Sequence, residues 1–267
     1  MNKIYLYALI PTYELELTPL PEVKGFDGQH ELYTLSMDEV TAIVSDLEGE
    51  EYTEEAIKEK VSNDMPWLQD KAYHHHQVLT QLNETYTIIP LKFCTIYNHA
   101  DSLKASIEPQ QDHIRASFEL VKDHEEWTVK IYCDEEQLKE RVSQNSPVIE
   151  EKKQEIATLS PGRQFFEKKK IDKLLETEVE KEQEQRCQLA HEKFSGSARD
   201  SAIKKNLGKD VTGLEQTMCW NSVYLVPEHQ VSTFLETIQD EEQDMEKAGY
   251  QIQATGPWPA YHFSSFS

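Results

Sequence analysis

Three consecutive histidines, His74-His75-His76, are the residues of this chain best suited by type to metal binding or proton transfer. Their spacing argues against a shared metal: neighbouring residues of a helix point about 100° apart, whereas a helical two-histidine site needs i and i+4. His75 falls on an apolar stripe with Leu68, Ala72, Leu79 and Leu82, so it reads as a hydrogen-bonded, partly buried histidine, with His74 and His76 flanking it toward solvent. Cys94, Cys133, Cys187 and Cys219 are widely spread, without a Cys-x-x-Cys pair or a histidine at ligand spacing, and read as reduced thiols. Lys168-Lys169-Lys170, flanked by Glu167 and Asp172, reads as a solvated helix face. There is no Gly-rich phosphate loop, Gly-x-Ser-x-Gly elbow, His-Glu-x-x-His helix or Asp-rich calcium loop. No catalytic, cofactor-binding or metal-binding residues are expected.

The terminus offers a different chemistry, that of aromatic contact. Gly256-Pro257-Trp258-Pro259-Ala260-Tyr261-His262-Phe263 follows the strand-like run Gly249 to Ala254. Two prolines around a tryptophan fix φ twice and push Gly256 and Trp258 toward extended geometry, giving a stiff segment that needs a docking surface. Either Trp258, Tyr261 and Phe263 pack on their own domain, or they anchor a partner, with Pro257 and Pro259 lowering the ordering cost.

The elements that must position these residues are set by composition and periodicity. With 267 residues and 38% hydrophobic content, the chain predicts two compact domains. No apolar run approaches the roughly 20 residues of a membrane helix, and Met1-Asn2-Lys3 leads into Ile4-Tyr5-Leu6-Tyr7 without a signal-peptide pattern, which predicts an untargeted, cytoplasmic protein. The formal net charge is −22, and its acidity lies in the flanks: Thr12 to Glu55 carries 13 acids against Lys24, whereas Pro147 to Asp210 carries 14 bases against 13 acids. Such a field repels nucleic-acid phosphates and anionic membranes, and suits a partner with exposed basic groups.

Lys3 to Leu9 reads as a buried strand; Glu31 to Leu35 and Thr41 to Asp46 follow as short strands, and a helix runs from an Asp64 cap, with Pro66 in its first turn, to about Asn83. Tyr86 to Phe93 returns to β character with Pro90 marking an edge, bulge or break; Ser102 to Lys122 is a helix interrupted at Pro109. Glu126 to Tyr132 alternates, with Trp127, Val129 and Ile131 on one face. This order predicts a ferredoxin-like domain over 1–134, with two helices on one face of a mainly antiparallel sheet. Residues 135–267 predict a helical region, broken at Asn145-Ser146-Pro147 and Ser160-Pro161-Gly162, then a smaller α+β domain with an ordered aromatic tail. Phe165, Phe166, Ile171, Leu174, Leu175, Val179, Leu189 and Phe194 form an imperfect stripe, weakened by Glu182 and Gln183. The fold class is α+β.

Six segments together resemble the gas vesicle protein F/L family: Ile4-Tyr5-Leu6-Tyr7, Val40 to Ser45, His75-His76-Gln77-Val78-Leu79, Ile89 to Thr95, Glu126 to Lys130, and Gly256-Pro257-Trp258-Pro259, in that order across nearly the whole chain. The resemblance implies a ferredoxin-like N-terminal domain, a C-terminal α+β domain and no enzymatic reaction. It implies an accessory protein at the gas vesicle that assists nucleation or assembly by binding the hydrophobic shell subunit or other gas vesicle proteins; the alternatives are a minor structural component retained in the vesicle, or a small-molecule-binding or enzymatic α+β protein. Pro257, Trp258, Pro259, Tyr261 and Phe263 are the expected partner-binding residues. The chain departs from the family pattern at Cys94, where a glycine is usual after the phenylalanine, and at Gln164-Phe165-Phe166, where small and aliphatic residues are commoner.

Overall fold

The structure, a computed structural model, describes residues 3–264 apart from the Lys168 side chain. The chain forms two compact units: Met1–Glu126 with Pro257–Ser267, and Trp127–Gly256. Against the expected boundary at 134/135, the second unit begins eight residues earlier, at Trp127, and the tail groups with the first.

The first unit opens with β1 (Lys3–Pro11), α1 (Thr12–Leu17), β2 (Tyr33–Met37) and β3 (Val40–Leu47), continues through α2 (Glu54–Asn63), α3 (Met65–Asn83), β4 (Ile89–Pro90) and β5 (Ile96–Tyr97), and ends with α4 (Ala100–Ile107) and α5 (Gln111–Val121). Its sheet has the order β2-β3-β1-β4, with β5 also on β1, and every pairing is antiparallel. The ferredoxin-like α+β plan holds, with one difference: the helices do not share a face. Tyr5, Tyr7, Ala8 and Ile10 join Val78, Leu79 and Leu82 of α3 in one core, while Ile4, Leu6 and Leu9 join Leu103, Ile107, Ile114 and Phe118 of α4 and α5 in another. A strand buried on both faces needs an unbroken apolar run, and Ile4 to Ile10 supplies it. The change of parity after Tyr7 is a β-bulge: Leu6 pairs with Val44 and Ala8 with Ile43, leaving Tyr7 as the extra residue.

Asp64 caps α3 as expected, its Oδ1 accepting the Trp67 N–H at 3.1 Å. The helix α2 is an element the periodicity did not reveal, because Ile57 is its one buried residue; Thr53 starts it by accepting the Ala56 N–H at 3.3 Å. Pro90 does end a strand of two residues, and Pro109 sits in a 3₁₀ turn between α4 and α5.

The second unit takes in most of β6 (His124–Cys133), then α6 (Glu135–Asn145), α7 (Pro147–Ala157), α8 (Pro161–Ser195), β7 (Asp200–Ile203), α9 (Lys209–Thr212), β8 (Thr217–Pro227), α10 (Val231–Glu246) and β9 (Tyr250–Trp258), whose last two residues belong to the first unit. The sheet order is β7-β8-β6-β9. The strand read as the last of the first sheet therefore pairs in the second; β1 has already filled its open edge with β4 and β5. Both predicted helix breaks occur where Pro147 and Pro161 start new helices. The 35-residue α8, about 52 Å long, buries Val179, Cys187, Ala190 and Phe194, but Phe165, Phe166 and Leu189 are exposed. Its polar interruptions are partnered: Glu182 accepts from Arg141 at 2.8 Å, and Gln183 Nε2 donates to Cys133 Sγ at 3.0 Å.

Candidate functional site

The tail, α3 and β1 build one connected site within the first unit. Alternation puts Tyr5 and Tyr7 on the face of β1 that α3 covers, and α3 carries the three histidines. Each histidine takes a different tyrosine. His74 Nε2 lies 3.2 Å from the Tyr7 hydroxyl, His75 Nδ1 2.9 Å from Tyr5, and His76 Nδ1 3.1 Å from Tyr261 of the tail. His75 is the buried member, as expected; His74 and His76 are half-buried rather than turned to solvent.

The hydrogen bonds of His75 settle its tautomer. The Leu91 carbonyl, 3.1 Å from Nε2, can only accept, so Nε2 holds the proton and Nδ1 accepts from the Tyr5 hydroxyl. The Tyr5 oxygen in turn accepts the Cys94 N–H at 3.1 Å. Burial pulls the His75 pKa down to about 4 and pushes Tyr5 up, so the chain of bonds joins neutral groups. Burial, and then the Lys71 charge, also lower His74. With the three rings committed to three hydroxyls, no single point is faced by all of them.

Cys94 closes this chain from a left-handed backbone, φ 62°. A glycine would take that conformation without strain. Replacing Cys94 by valine is expected to lower stability by about 1–2 kcal/mol in urea unfolding, since a β-branched residue resists this φ, whereas Cys94→Gly stays within about 1 kcal/mol of the parent.

The tail is folded onto its own unit. Pro259 and Ala260 are buried, Trp258 and Phe263 are half-buried, Pro257 is exposed, and Tyr261 is 37% exposed. The Trp258 ring lies 5.4 Å from that of His76. Ser264 returns its N–H to the Ala260 carbonyl at 3.1 Å, making a compact last turn. Burial, and then the Glu126 charge, raise Tyr261 to about 12. The fastening is Glu126, whose side chain is 1% exposed: its carboxylate accepts the His262 N–H at 2.8 Å and the His262 Nδ1–H at 2.6 Å. Glu126 escaped the sequence reading because strand alternation assigns it to the polar face, opposite Trp127, Val129 and Ile131. Its hydrogen-bond partner comes from the tail.

Elsewhere, a cleft of about 460 Å³ in the first unit is lined by Thr12, Tyr13, Val40, Arg115, Phe118 and Lys122 among others. Arg115 is paired there with Glu39 at 2.7 Å, and the other charges of the lining are mainly acidic, with Glu16, Asp38 and Glu119. In the second unit, three thiols far apart in sequence lie in one core: Cys187 Sγ is 3.8 Å from Cys219 Sγ, Cys219 bonds the Ile131 carbonyl at 3.3 Å, and Cys133 Sγ accepts from Gln183. The neighbouring Cys219 thiol and burial raise the Cys133 pKa, and these thiols act as core residues. Among the described residues no helix is long and apolar enough to cross a membrane.

The family described as gas vesicle synthesis protein GvpL/GvpF matches residues 3–265. The chain belongs to the GvpL/GvpF family. Two solved structures of gas vesicle protein GvpF share its fold. One, from Anabaena, aligns with a TM-score of 0.76 at 20% identity, covering 100% of both chains. The other, from Microcystis aeruginosa, aligns with a TM-score of 0.69 at 18% identity, covering 99% of each. No curated protein matches the chain. GvpL/GvpF is a gas vesicle protein family and not a known enzyme family, which gives this member a part in gas vesicle formation.

Proposed function

We propose that this chain assists nucleation or assembly of the gas-filled shell by binding the hydrophobic shell subunit or other gas vesicle proteins, from the cytoplasm, through the tail residues Pro257, Trp258, Pro259, Tyr261 and Phe263. The observation that carries this reading is that the tail is held as a pre-ordered aromatic platform: Glu126 pins it beneath, and Trp258 and Tyr261 flank His76 at its surface. A shell subunit awaiting assembly must carry apolar surface, and rigid aromatic groups meet such surface at low entropic cost. In this arrangement Tyr261, Trp258 and Pro257 make the contact, and Pro259 and Phe263 support them from below. The net charge of −22 keeps the complex dispersed.

Co-expression with the shell subunit followed by affinity capture tests the idea. Trp258→Ala and Tyr261→Ala are each expected to lower the captured shell protein about tenfold while far-UV circular dichroism stays that of the parent. Undiminished capture by both folded variants would refute the tail as the contact surface.

A further inference from the structure

Fourteen large apolar side chains are exposed among the described residues, and four of them, Ile203, Leu207, Val211 and Leu214, fall within one stretch of twelve residues that leads from the end of β7 to β8. Single exposed apolar residues are ordinary on a protein surface; a local concentration of them is not. Ile203 is 55% exposed and Val211 65%. Their spacing of four, four and three residues would suit a helix, but Gly208 and Gly213 bound the single turn of α9, Gly213 at φ 67°.

The stretch is fastened rather than frayed. The Lys204 N–H donates to the Asn221 carbonyl at 2.7 Å, Asn221 Nδ2 donates to the Lys205 carbonyl at 2.9 Å, and the Leu207 N–H meets Met218 Sδ at 3.3 Å. Residues 204–207 are thus held against β8, α9 and Gly213 shape the rest by local bonds, and all four apolar side chains are exposed. β7 is the outermost strand of its sheet, and the Lys204–Asn221 pairing, with the alternation of an antiparallel ladder, turns the main-chain groups of Ser201 and Ile203 toward the open edge.

Charge selects the occupant. In a chain of formal net charge −22, these twelve residues hold Lys204, Lys205 and Lys209 against Asp210 alone. All three lysines are exposed, and none takes part in an ion pair among the described residues. A basic and apolar ridge on an acidic protein complements a segment that is apolar and acidic. A second copy of this chain brings the same large negative charge and is repelled, and an anionic membrane surface is repelled for the same reason.

We propose that the 203–214 ridge docks an acidic amphipathic segment of another protein, whose apolar side chains cover Ile203, Leu207, Val211 and Leu214 while its carboxylates meet Lys204, Lys205 and Lys209. This surface uses none of the tail residues, and the two proposals can fail independently. The probe is a fluorescently labelled synthetic peptide with leucine at helical spacing and glutamate elsewhere, titrated with the full-length chain and followed by anisotropy; the control peptide has lysine for every glutamate. The glutamate peptide is expected to bind and the lysine peptide not. Kd is expected to rise at least about tenfold in Ile203→Ser/Val211→Ser and in Lys204→Glu/Lys205→Glu, and with added salt, which screens the ion pairs. The substituted side chains are exposed, so melting temperatures stay at the parent value, and this separates lost binding from lost folding. The proposal is overturned if the glutamate peptide does not bind, if both peptides bind equally, or if the variants bind like the parent. It is also overturned if the chain floats with phosphatidylserine vesicles, or if sedimentation shows self-association that Ile203→Ser/Val211→Ser removes.

Discussion

His75→Ala is expected to lower the unfolding free energy by about 4 kcal/mol in urea titration at pH 8. The imidazole is buried between β1 and the strand-like segment through Leu91, and its removal leaves a cavity in the core formed by Tyr5, Tyr7, Val78 and Leu79. It also orphans two buried groups, the Leu91 carbonyl and the Tyr5 hydroxyl proton, each costing about 1–3 kcal/mol when nothing replaces the partner. His75→Leu fills the space without restoring the bonds and falls between parent and alanine variant. A loss below about 1 kcal/mol for His75→Ala would mean that the hydrogen-bonded chain does not hold this core together.

The same residue gives stability a pH dependence of definite sign. The folded pKa of His75 is lowered to about 4, below the unfolded value near 6.5, so between these values the unfolded chain binds more protons. Its contribution is complete above about pH 6.5 and is lost as pH falls toward 4, amounting to about 3 kcal/mol over that window. His74 and His191, also lowered by burial, act in the same direction. His30, raised first by its hydrogen bond to Asp27, acts in the opposite one. Subtracting the pH profile of His75→Leu from that of the parent isolates the His75 share, and identical profiles would refute it.

His262→Ala is expected to release the tail at a cost of about 3 kcal/mol, more than Glu126→Gln. The two partners differ in what their loss leaves behind. Glu126 is enclosed, so removing the imidazole strands a buried carboxylate whose one remaining donor among the described residues is the His262 N–H. Glu126→Gln instead removes the buried charge, and the His262 side chain, 32% exposed, recovers water. Amide exchange is the suitable measurement, because the loss is local: protection of Tyr261 to Ser264 is expected to fall roughly a hundredfold in His262→Ala while the β1 amides keep theirs. Unchanged protection would show that Pro259 and Ala260 hold the tail by burial alone. The comparison bears on function too, since a tail that binds a partner as a rigid platform loses affinity when it is unpinned.

Much of the first unit was legible because its signals are local. The Asp64 cap, the Pro66 start, the Pro109 interruption and the apolar run of β1 act over a few residues, and each did what its chemistry dictates. The helix breaks at Pro147 and Pro161 belong to the same class. What was not legible depends on the third dimension. The alternation of β6 says that it is a strand but not which sheet it joins, since antiparallel edges are chemically alike until the chain has closed one of them. The convergence of Cys133, Cys187 and Cys219 has no sequence signature because their separation along the chain carries no information about contact.

The sequence by itself determined the α+β class, the family, the burial of His75 and the stiffness of the Gly256-Pro257-Trp258-Pro259 terminus, because proline geometry and hydrophobic period are properties of short segments. Tertiary structure alone decided where that terminus goes. Its route is set by the Glu126–His262 and His76–Tyr261 hydrogen bonds, between residues 136 and 185 positions apart in the chain. A buried acid on the polar side of a strand has no reason to be there until a histidine arrives from the far end to bond it.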